Sequence, residues 1–496
     1  MRSLVFVACL AIPAQIALGQ QPKQQNFPTP VSTGAGLSLE EAISTARQNN
    51  PQLLETRNLI RNADAQVHSA YGQLLPNLSA NLSTGYTQSG NQFIQGLSFA
   101  SPGNSYNTSY RLGVGYTISA AAAFAPRAAR ANRAAANATA TSTSETLRAT
   151  VTTQYINALE QLATAAVNDT LVQTAQGELD LANAKLKVGS GTILDVRNAE
   201  VTLGQAEVDA VTAHNQAAVA KLTLFQTMGV APDTSVVLTT NFSVTPPPGS
   251  LDSLLDLARR VNPDLAARKS TEHANQMQVR VAQTEYLPTL NLSTGLGGQG
   301  FGYSNIDNLI ASNQQSQLAR FQSCMTADSI RVGAGLQPTN RCPSPTLSAE
   351  QISSIRTGNN PFRFQSAPFS LYATLSLPIF NNFNREQQIE QAEVARDNAA
   401  FDVRARQLQL VTDVTTAYLN LLTARKTVDL RETTARQATE ALSFAEESYK
   451  VGAKTFLDVT TARGQYQKAL VDRINAIYDY HKAFASLESA VGRPLR

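Results

Sequence analysis

Two stretches 263 residues apart read almost alike: Leu186 to Ala199 is LKVGSGTILDVRNA and Tyr449 to Ala462 is YKVGAKTFLDVTTA, with eight of fourteen positions identical. Each interrupts a long run rich in Ala, Gln and Thr with a glycine, Gly189 or Gly452, the residue that most readily ends one helix and lets the chain turn into the next. Both are expected to be tips of helical hairpins. The same offset relates Val151-Thr152-Thr153 to Val414-Thr415-Thr416 and Gly229 to Gly492. A second offset, 212 residues, relates Ser38 to Ser250, Asn50-Pro51 to Asn262-Pro263 and Leu75-Pro76 to Leu287-Pro288. Such a chain is an internal duplication, and its fold must be two versions of one unit.

The segments follow from this pattern. Arg2, the apolar run from Leu4 to about Ile16 and the small residues Ala17-Leu18-Gly19 make residues 1–19 a secretory signal, with acylation at Cys9 as an alternative. Residues 20–36 are a polar, Pro- and Gly-containing leader. The first repeat is 37–230 and the second 250–496, joined by a linker, 231–249, that ends in Pro246-Pro247-Pro248-Gly249 and cannot continue a helix. Helix begins at Ser38, where Glu41 three positions on completes a capping box. Beyond the signal no stretch approaches the roughly 20 apolar residues of a membrane-spanning helix. If the exported chain crosses a membrane, it does so as a β-barrel.

After each Leu-Pro the apolar period shortens to two. Leu78, Ala80 and Leu82 alternate in the first repeat and Leu290, Leu292 and Leu296 in the second; alternation returns over Tyr110 to Ile118 and Phe369 to Ile379. Each repeat thus carries two strands, of the kind that faces lipid on one side and a lumen on the other, or that makes a half-buried soluble hairpin. Four strands cannot enclose a lumen. Three chains would supply twelve, and a closed homo-oligomer leaves no strand edge exposed.

The longest helical runs are 122–188 and 385–451, with apolar faces such as Val151, Tyr155, Leu159, Leu162, Ala166 and Val411, Val414, Tyr418, Leu421, Val428 at coiled-coil-like spacing. The return helices run to Gly229 and Gly492 and are shorter, so the segment from Leu39 to Leu75 is expected to stack on one of them. The two offsets differ by 51 residues, an excess that falls in a long loop at about 296–368, rich in Gly, Ser, Asn and Gln. Cys324 and Cys342 lie in it; in an exported protein they suggest a disulfide, the alternative being two free thiols.

Several function classes lose support. No Lys/Arg stripe interleaved with aromatics accompanies the near-neutral formal charge of +3, so nucleic acid is not an expected partner. The four histidines, His68, His214, His273 and His481, are scattered without HExxH, and are read as helix-surface residues. Gly452-Ala453-Lys454-Thr455 lacks the glycines of a phosphate loop. No catalytic residue, metal ligand or cofactor is called for. A non-conducting, periplasm-spanning coiled coil would explain the helices and the export, but not four strands placed symmetrically between helices.

The signal, the duplicated Ser-Leu…Asn-Pro helices, the Leu-Pro entries into strands and the duplicated Val-Gly…Asp-Val tips, over residues 37 to 494, together resemble the TolC-type outer membrane efflux factor family. The resemblance implies a mainly α fold with a transmembrane β portion: a homotrimer whose twelve-stranded barrel sits in outer membrane lipid and continues into a periplasmic α-helical coiled-coil tunnel. It implies a passive exit duct for small molecules or proteins, served by a periplasmic adaptor and an inner-membrane pump. Val188-Gly189 and Val451-Gly452 then match adaptor-docking tips. Tyr449 matches the tyrosine of an aperture latch, Asp195 its partner and Asp458 an acid lining the closed aperture, while Lys454 stands where arginine is usual. Asp195 and Asp458 fit equally as acids in the first turn of a helix. The family's Leu-Ser-x-Pro-Leu-Phe-like strand end is kept at Leu375 to Phe380, but Tyr116 to Ala121 has no proline.

Overall fold

The computed structural model describes residues 36–88, 91–94, 97–100, 103–233, 235–339 and 341–495. The signal segment with Cys9 and nearly all of the leader lie outside them. In the first repeat the elements are β1 (Gly36–Leu37), α1 (Leu39–Asn49), α2 (Pro51–Gly72), β2 (Asn77–Thr87), β3 (Asn91–Ile94), β4 (Leu97–Ala100), β5 (Ser105–Ile118), α3 (Ala120–Lys187), α4 (Ile193–Met228) and β6 (Val237–Leu238). The second holds α5 (Leu251–Val261), α6 (Pro263–Gln283), β7 (Thr289–Tyr303), α7 (Ile306–Gly333), α8 (Ala349–Gly358), β8 (Gln365–Ser366), β9 (Ser370–Ser376), α9 (Asn384–Lys450) and α10 (Phe456–Val491). The chain divides into a helical unit, residues 36–66, 129–277 and 392–495, and a strand unit, residues 67–128 and 278–391.

In the helical unit the duplication recurs contact by contact. Ser38 and Ser250 accept from the backbone N–H three residues on and start α1 and α5. Asn50 and Asn262 end those helices in extended backbone, because the following proline disfavours helical geometry in the residue before it. Each asparagine then clasps the return helix of its own repeat: Asn50 Nδ2 donates to Thr227 O at 2.9 Å and Asn262 Nδ2 to Ala490 O at 3.0 Å. Of the segment Leu39 to Leu75 expected to stack on a return helix, α1 packs on α4, and in the second repeat α5 packs on α10.

Those return helices stop at Gly229 and Gly492, both left-handed, with φ of 76° and 94°. The backbone of the Asn-Pro junction lies so close that a Cβ at Gly229 would sit 2.6 Å from Asn49 O. Two apolar clusters lie beside these junctions, one around Tyr155, Phe225 and Met228, the other around Leu410, Leu421, Tyr480 and Leu487. Of the expected helix faces Val151, Tyr155, Val414, Leu421 and Val428 are buried, but Ala166 is exposed and Ala165 takes its place. A straight helix drifts against a seven-residue repeat, which moves the buried face by one position. His481 also departs from expectation: it is 1 % exposed, packed beside Phe242 and Tyr480.

In the strand unit the four expected strands form one antiparallel sheet in the order β2-β5-β7-β9, with the short β8 also pairing β7, farther along it, at Gly298 and Gln299. Its register lines up Leu78, Val114, Thr294 and Leu371 in one row and Ile118, Leu290 and Leu375 in another, with Ala80, Leu112 and Leu296 in a third. These residues share one face, on which Thr84, Thr108 and Thr294 interrupt the apolar and aromatic side chains. The opposite face carries Ser79, Asn81, Arg111, Asn291, Ser293 and Thr374. Leu78, Leu112, Leu296, Leu371 and Leu375 are all exposed in the single chain.

The strand ends differ between repeats as the missing proline suggests. In the first, β5 passes to α3 across Ser119 alone, whose hydroxyl accepts from Ala122 N at 3.1 Å. In the second the chain after Pro378 needs two left-handed residues, Asn382 and Phe383, before α9 begins.

The stretch at 296–368 expected as a long loop is built differently. β7 continues to Tyr303, and α7 and α8 follow. Glycine permits the first change: a Cβ at Gly300 or Gly302 would meet Pro361, which lies against the strand. Cys324 and Cys342 are joined as a disulfide that fastens α7 to the segment leading into α8. Asp328, buried on α7, reinforces it by accepting from Thr339 N and Oγ1 at 2.9 and 2.7 Å. Cys342→Ser is expected to cost this insertion about 3 kcal/mol, from loop-closure entropy over a sequence separation of 18. Mass spectrometry of non-reduced peptides checks the pairing, and proteolysis of the insertion with and without reductant checks its effect.

Candidate functional site: the paired helical tips

Both tips are closed by the same local chemistry. At the end of α3, Gly189 is left-handed with φ of 76°, and Ser190 N and Gly191 N donate back to Lys185 O at 2.9 and 3.0 Å. At the end of α9, Gly452 has φ of 79° and Ala453 N donates to Ser448 O at 2.8 Å. These bonds satisfy carbonyls that the helix end leaves open. The next helix starts in each case on a threonine with an aspartate three residues on. Thr192 N donates to Asp195 Oδ2 at 3.0 Å while Asp195 N donates to Thr192 Oγ1 at 3.1 Å; Thr455 and Asp458 repeat the exchange at 2.9 and 3.4 Å. The bonds from Thr455, backbone before side chain, hold the Asp458 carboxyl below its usual range.

The turn residues themselves point away from the fold. Val188 and Val451 are 78 % and 82 % exposed, and Ile193, Leu194 and Leu457 beside them are exposed too. No atom lies within 4 Å of a Cβ built on Gly189 or Gly452. The tips therefore present apolar side chains that no group among the described residues covers.

Beneath this surface the two hairpins pack on each other through Ala182, Val196, Ala199, Leu442, Tyr449, Phe456 and Val459. Tyr449 lies at the centre, 6 % exposed, its ring 5.7 Å from that of Phe456. Lys185 Nζ sits 3.7 Å from the Tyr449 ring centroid and donates to Tyr449 O, so one ammonium joins the ends of α3 and α9 through a cation–π contact and a hydrogen bond. Burial, and secondly the Asp195 charge, push the Tyr449 phenol above its ordinary value.

The latch contacts expected from the sequence are not formed within one chain. Tyr449 OH has no hydrogen-bond partner among the described residues, and Asp195 is engaged in its cap. Lys454 reaches Asp458 at 3.8 Å in an exposed i,i+4 pair that solvent screens. Each aspartate serves as a capping acid, because the N–H groups of a helix start sit three residues away. Sequence reasoning missed Lys185, Phe456 and a buried pair between Glu178 and Arg463, whose counterparts at the 263-residue offset are Ser448, Ile193, Ala441 and Glu200. Repeat positions that differ in charge or size are the signal that marks them. No group of residues fit to hold a metal ion occurs among the described residues.

The sequence profile of the family described as outer membrane efflux protein matches residues 42–230 and 324–493. Outer membrane protein TolC of Escherichia coli is 24 % identical over 459 residues, covering 92 % of this chain and 82 % of that protein. Outer membrane efflux protein BepC of Brucella suis is 24 % identical over 505 residues, covering 99 % and 92 %. Among solved structures, the outer membrane protein VceC of Vibrio cholerae superposes with a TM-score of 0.68 at 17 % identity, covering 92 % of this chain and 97 % of that one. With its duplicated repeat, its two glycine tips and a family profile spanning most of its length, the chain belongs to the outer membrane efflux protein family and has its place in the outer membrane.

Proposed function

We propose that three copies of this chain form the exit duct of an efflux or secretion system, a twelve-stranded barrel in lipid continued by a helical coiled-coil tunnel through the periplasm. The sheet carries the reading. Among the described residues its outer strands, β2 and β9, each pair on one side only, and Leu78, Leu112 and Leu375 on its apolar face are exposed. Pairing β2 of one copy with β9 of the next removes every open edge at three copies and turns the Leu78, Leu112 and Leu375 face outward to lipid. The duct is passive, and the energy comes from an inner-membrane pump linked by a periplasmic adaptor. Planar-bilayer recording of the purified protein is the test: stepwise conductance with heat-modifiable trimers supports the duct, and non-conducting oligomers support a coiled-coil spacer instead.

The exposed Val188, Gly189, Val451 and Gly452 form the adaptor's docking surface in this reading. Gly452→Glu meets no neighbour, so its cost to folding is backbone strain alone, while it places a charge in an apolar contact. Trimers are expected to assemble and adaptor cross-linking and export to fall at least tenfold; survival of both in the Gly189→Glu/Gly452→Glu double variant removes the tips from docking.

Asp195, Tyr449, Lys454 and Asp458 form the aperture, with contacts between neighbouring copies in place of those absent within one. Three Asp458 carboxylates around one axis would concentrate cations. Asp458→Asn is expected to lower cation preference in bilayer recordings, and unchanged preference would put this residue off the pore.

A further inference from the structure

Close to the tips, α3 and α10 are joined by a buried ion pair. Arg463 Nη1 donates to Glu178 Oε2 at 2.6 Å, and the two side chains are 10 % and 6 % exposed. The other oxygen, Glu178 Oε1, is equally out of reach of water and has no hydrogen-bond partner among the described residues. Glu178 lines a cavity of about 290 Å³ together with Thr174, Glu446, Tyr449, Lys450 and Phe456. Tyr449 OH, the second buried polar atom without a partner, belongs to the same lining. Two unsatisfied oxygens on one cavity are costly to bury unless something completes them.

We propose that Glu178 Oε1 is a proton-binding site that clasps α3 to α10: a proton bound there holds the two helices together, and its loss loosens the tips. The proton goes to the oxygen that has no donor, and the ion pair becomes a hydrogen bond from Arg463 to Oε2 of a neutral carboxyl. What is gained is relief of a buried negative charge whose loss of water costs more than the pairing returns. The proton also turns Oε1 into a hydroxyl able to donate into the cavity, which offers the Tyr449 oxygen and the Glu446 carboxylate.

The charges around Glu178 fit this. Arg463 faces it from α10, and Glu446, Tyr449 and Lys450 from α9; Lys185, farther along α3, is held over the Tyr449 ring, and Asp195 on α4 acts on the Tyr449 phenol. Loss of water around the carboxyl outweighs the pull of Arg463, Glu446 adds to it, and Glu178 rises from 4.5 to about 7. The same burial lowers Arg463. A carboxyl that binds its proton more tightly when packed than when exposed favours the packed state in acid. The contribution is complete below 4.5, declines as the pH rises, and is gone above about 7, so the clasp is tight in mildly acidic periplasm and slack at neutral and alkaline pH.

This deepens the reading of the tips as an aperture, and two measurements keep the two ideas apart. Hydrogen exchange of the full-length trimer between pH 5 and pH 8, corrected for intrinsic rates, reads the clasp. Protection of α3 and α10 amides around 178 and 463 is expected to fall at least about tenfold over that range. Glu178→Gln, neutral at every pH, is expected to keep the acid-like protection throughout. Glu446→Gln leaves the ion pair in place and removes one cause of the raised proton affinity, so the midpoint should move toward acid. Protection that does not change with pH, a pH dependence that survives Glu178→Gln, or a midpoint unmoved by Glu446→Gln each overturns the clasp. Bilayer conductance over the same range reads the aperture: if exchange follows pH and conductance does not, the clasp stands and the gating role of the tips falls.

Discussion

Gly492→Val is expected to block assembly of the folded protein, while Gly452→Val is expected to leave it intact. Both glycines are left-handed, at φ of 94° and 79°, so valine carries a similar backbone penalty at either, at least about 1–2 kcal/mol. Only the surroundings differ. A Cβ at Gly492 would lie 2.5 Å from Pro263 Cδ and 2.9 Å from Asn262 Cα, whereas Gly452 has open space. Relieving the overlap means moving the α5–α6 junction off α10, which breaks the bond from Asn262 to Ala490 O and opens the cluster around Leu254, Leu487 and Val491. Overpacking of this kind adds about 1–3 kcal/mol, and the total is a large share of a typical folding free energy of about 5–15 kcal/mol. The yield of heat-modifiable trimer and its melting temperature measure it. Equal loss in the two variants would mean that backbone strain alone, and not the close approach, makes glycine necessary at 492.

Leu112→Arg should prevent stable insertion into outer membranes, although Arg111 is already the adjacent residue. Neighbours along a strand point to opposite faces. Leu112 belongs to the row with Ala80 and Leu296, and Arg111 to the face with Asn81 and Gly297. Both lie at the middle of β5. In the proposed barrel, position 112 meets lipid near the bilayer midplane, where an arginine costs about 2–4 kcal/mol, while position 111 meets the lumen. Arg111→Leu should therefore assemble normally and alter ion preference. Membrane-fraction trimer yield for Leu112→Arg against Arg111→Leu is the measurement, and equal yields would deny that the two faces see different solvents.

The parts of the fold that could be read from sequence were those fixed by local chemistry. Ser38, Asn50-Pro51, Leu75-Pro76 and Gly189 each set a helix start, break, strand entry or turn within a few residues, and each occurs twice, although only Ser38 has the glutamate that completes a capping box. The insertion around α7 was not legible as helix because its Gly-, Ser- and Gln-rich composition reads as loop, whereas its order depends on the contact of Asp328 with Thr339 and on the bridge at Cys324. At the tips, the motif found Tyr449 and Asp195 but not what they touch. Lys185 and Phe456 reach Tyr449 from two different hairpins, and Glu178 meets Arg463 from 285 positions away. Side-chain partners brought together by tertiary packing leave no periodic trace in the chain.

The asparagine clasps carry a consequence for how such a chain could have arisen. Asn50 closes on Thr227 and Asn262 on Ala490, each within its own repeat. A half-length polypeptide would thus hold the asparagine bond of its own junction and the capping bonds of its own tip, while the bonds from Lys185 to Tyr449 O and from Arg463 to Glu178 would form between halves. Six such halves could build the ring proposed for three whole chains, and the proline linker would then be a later economy, fixing which half stands beside which. Once joined, the halves were free to diverge, and the stapled insertion in one and the bare Ser119 corner in the other record that freedom.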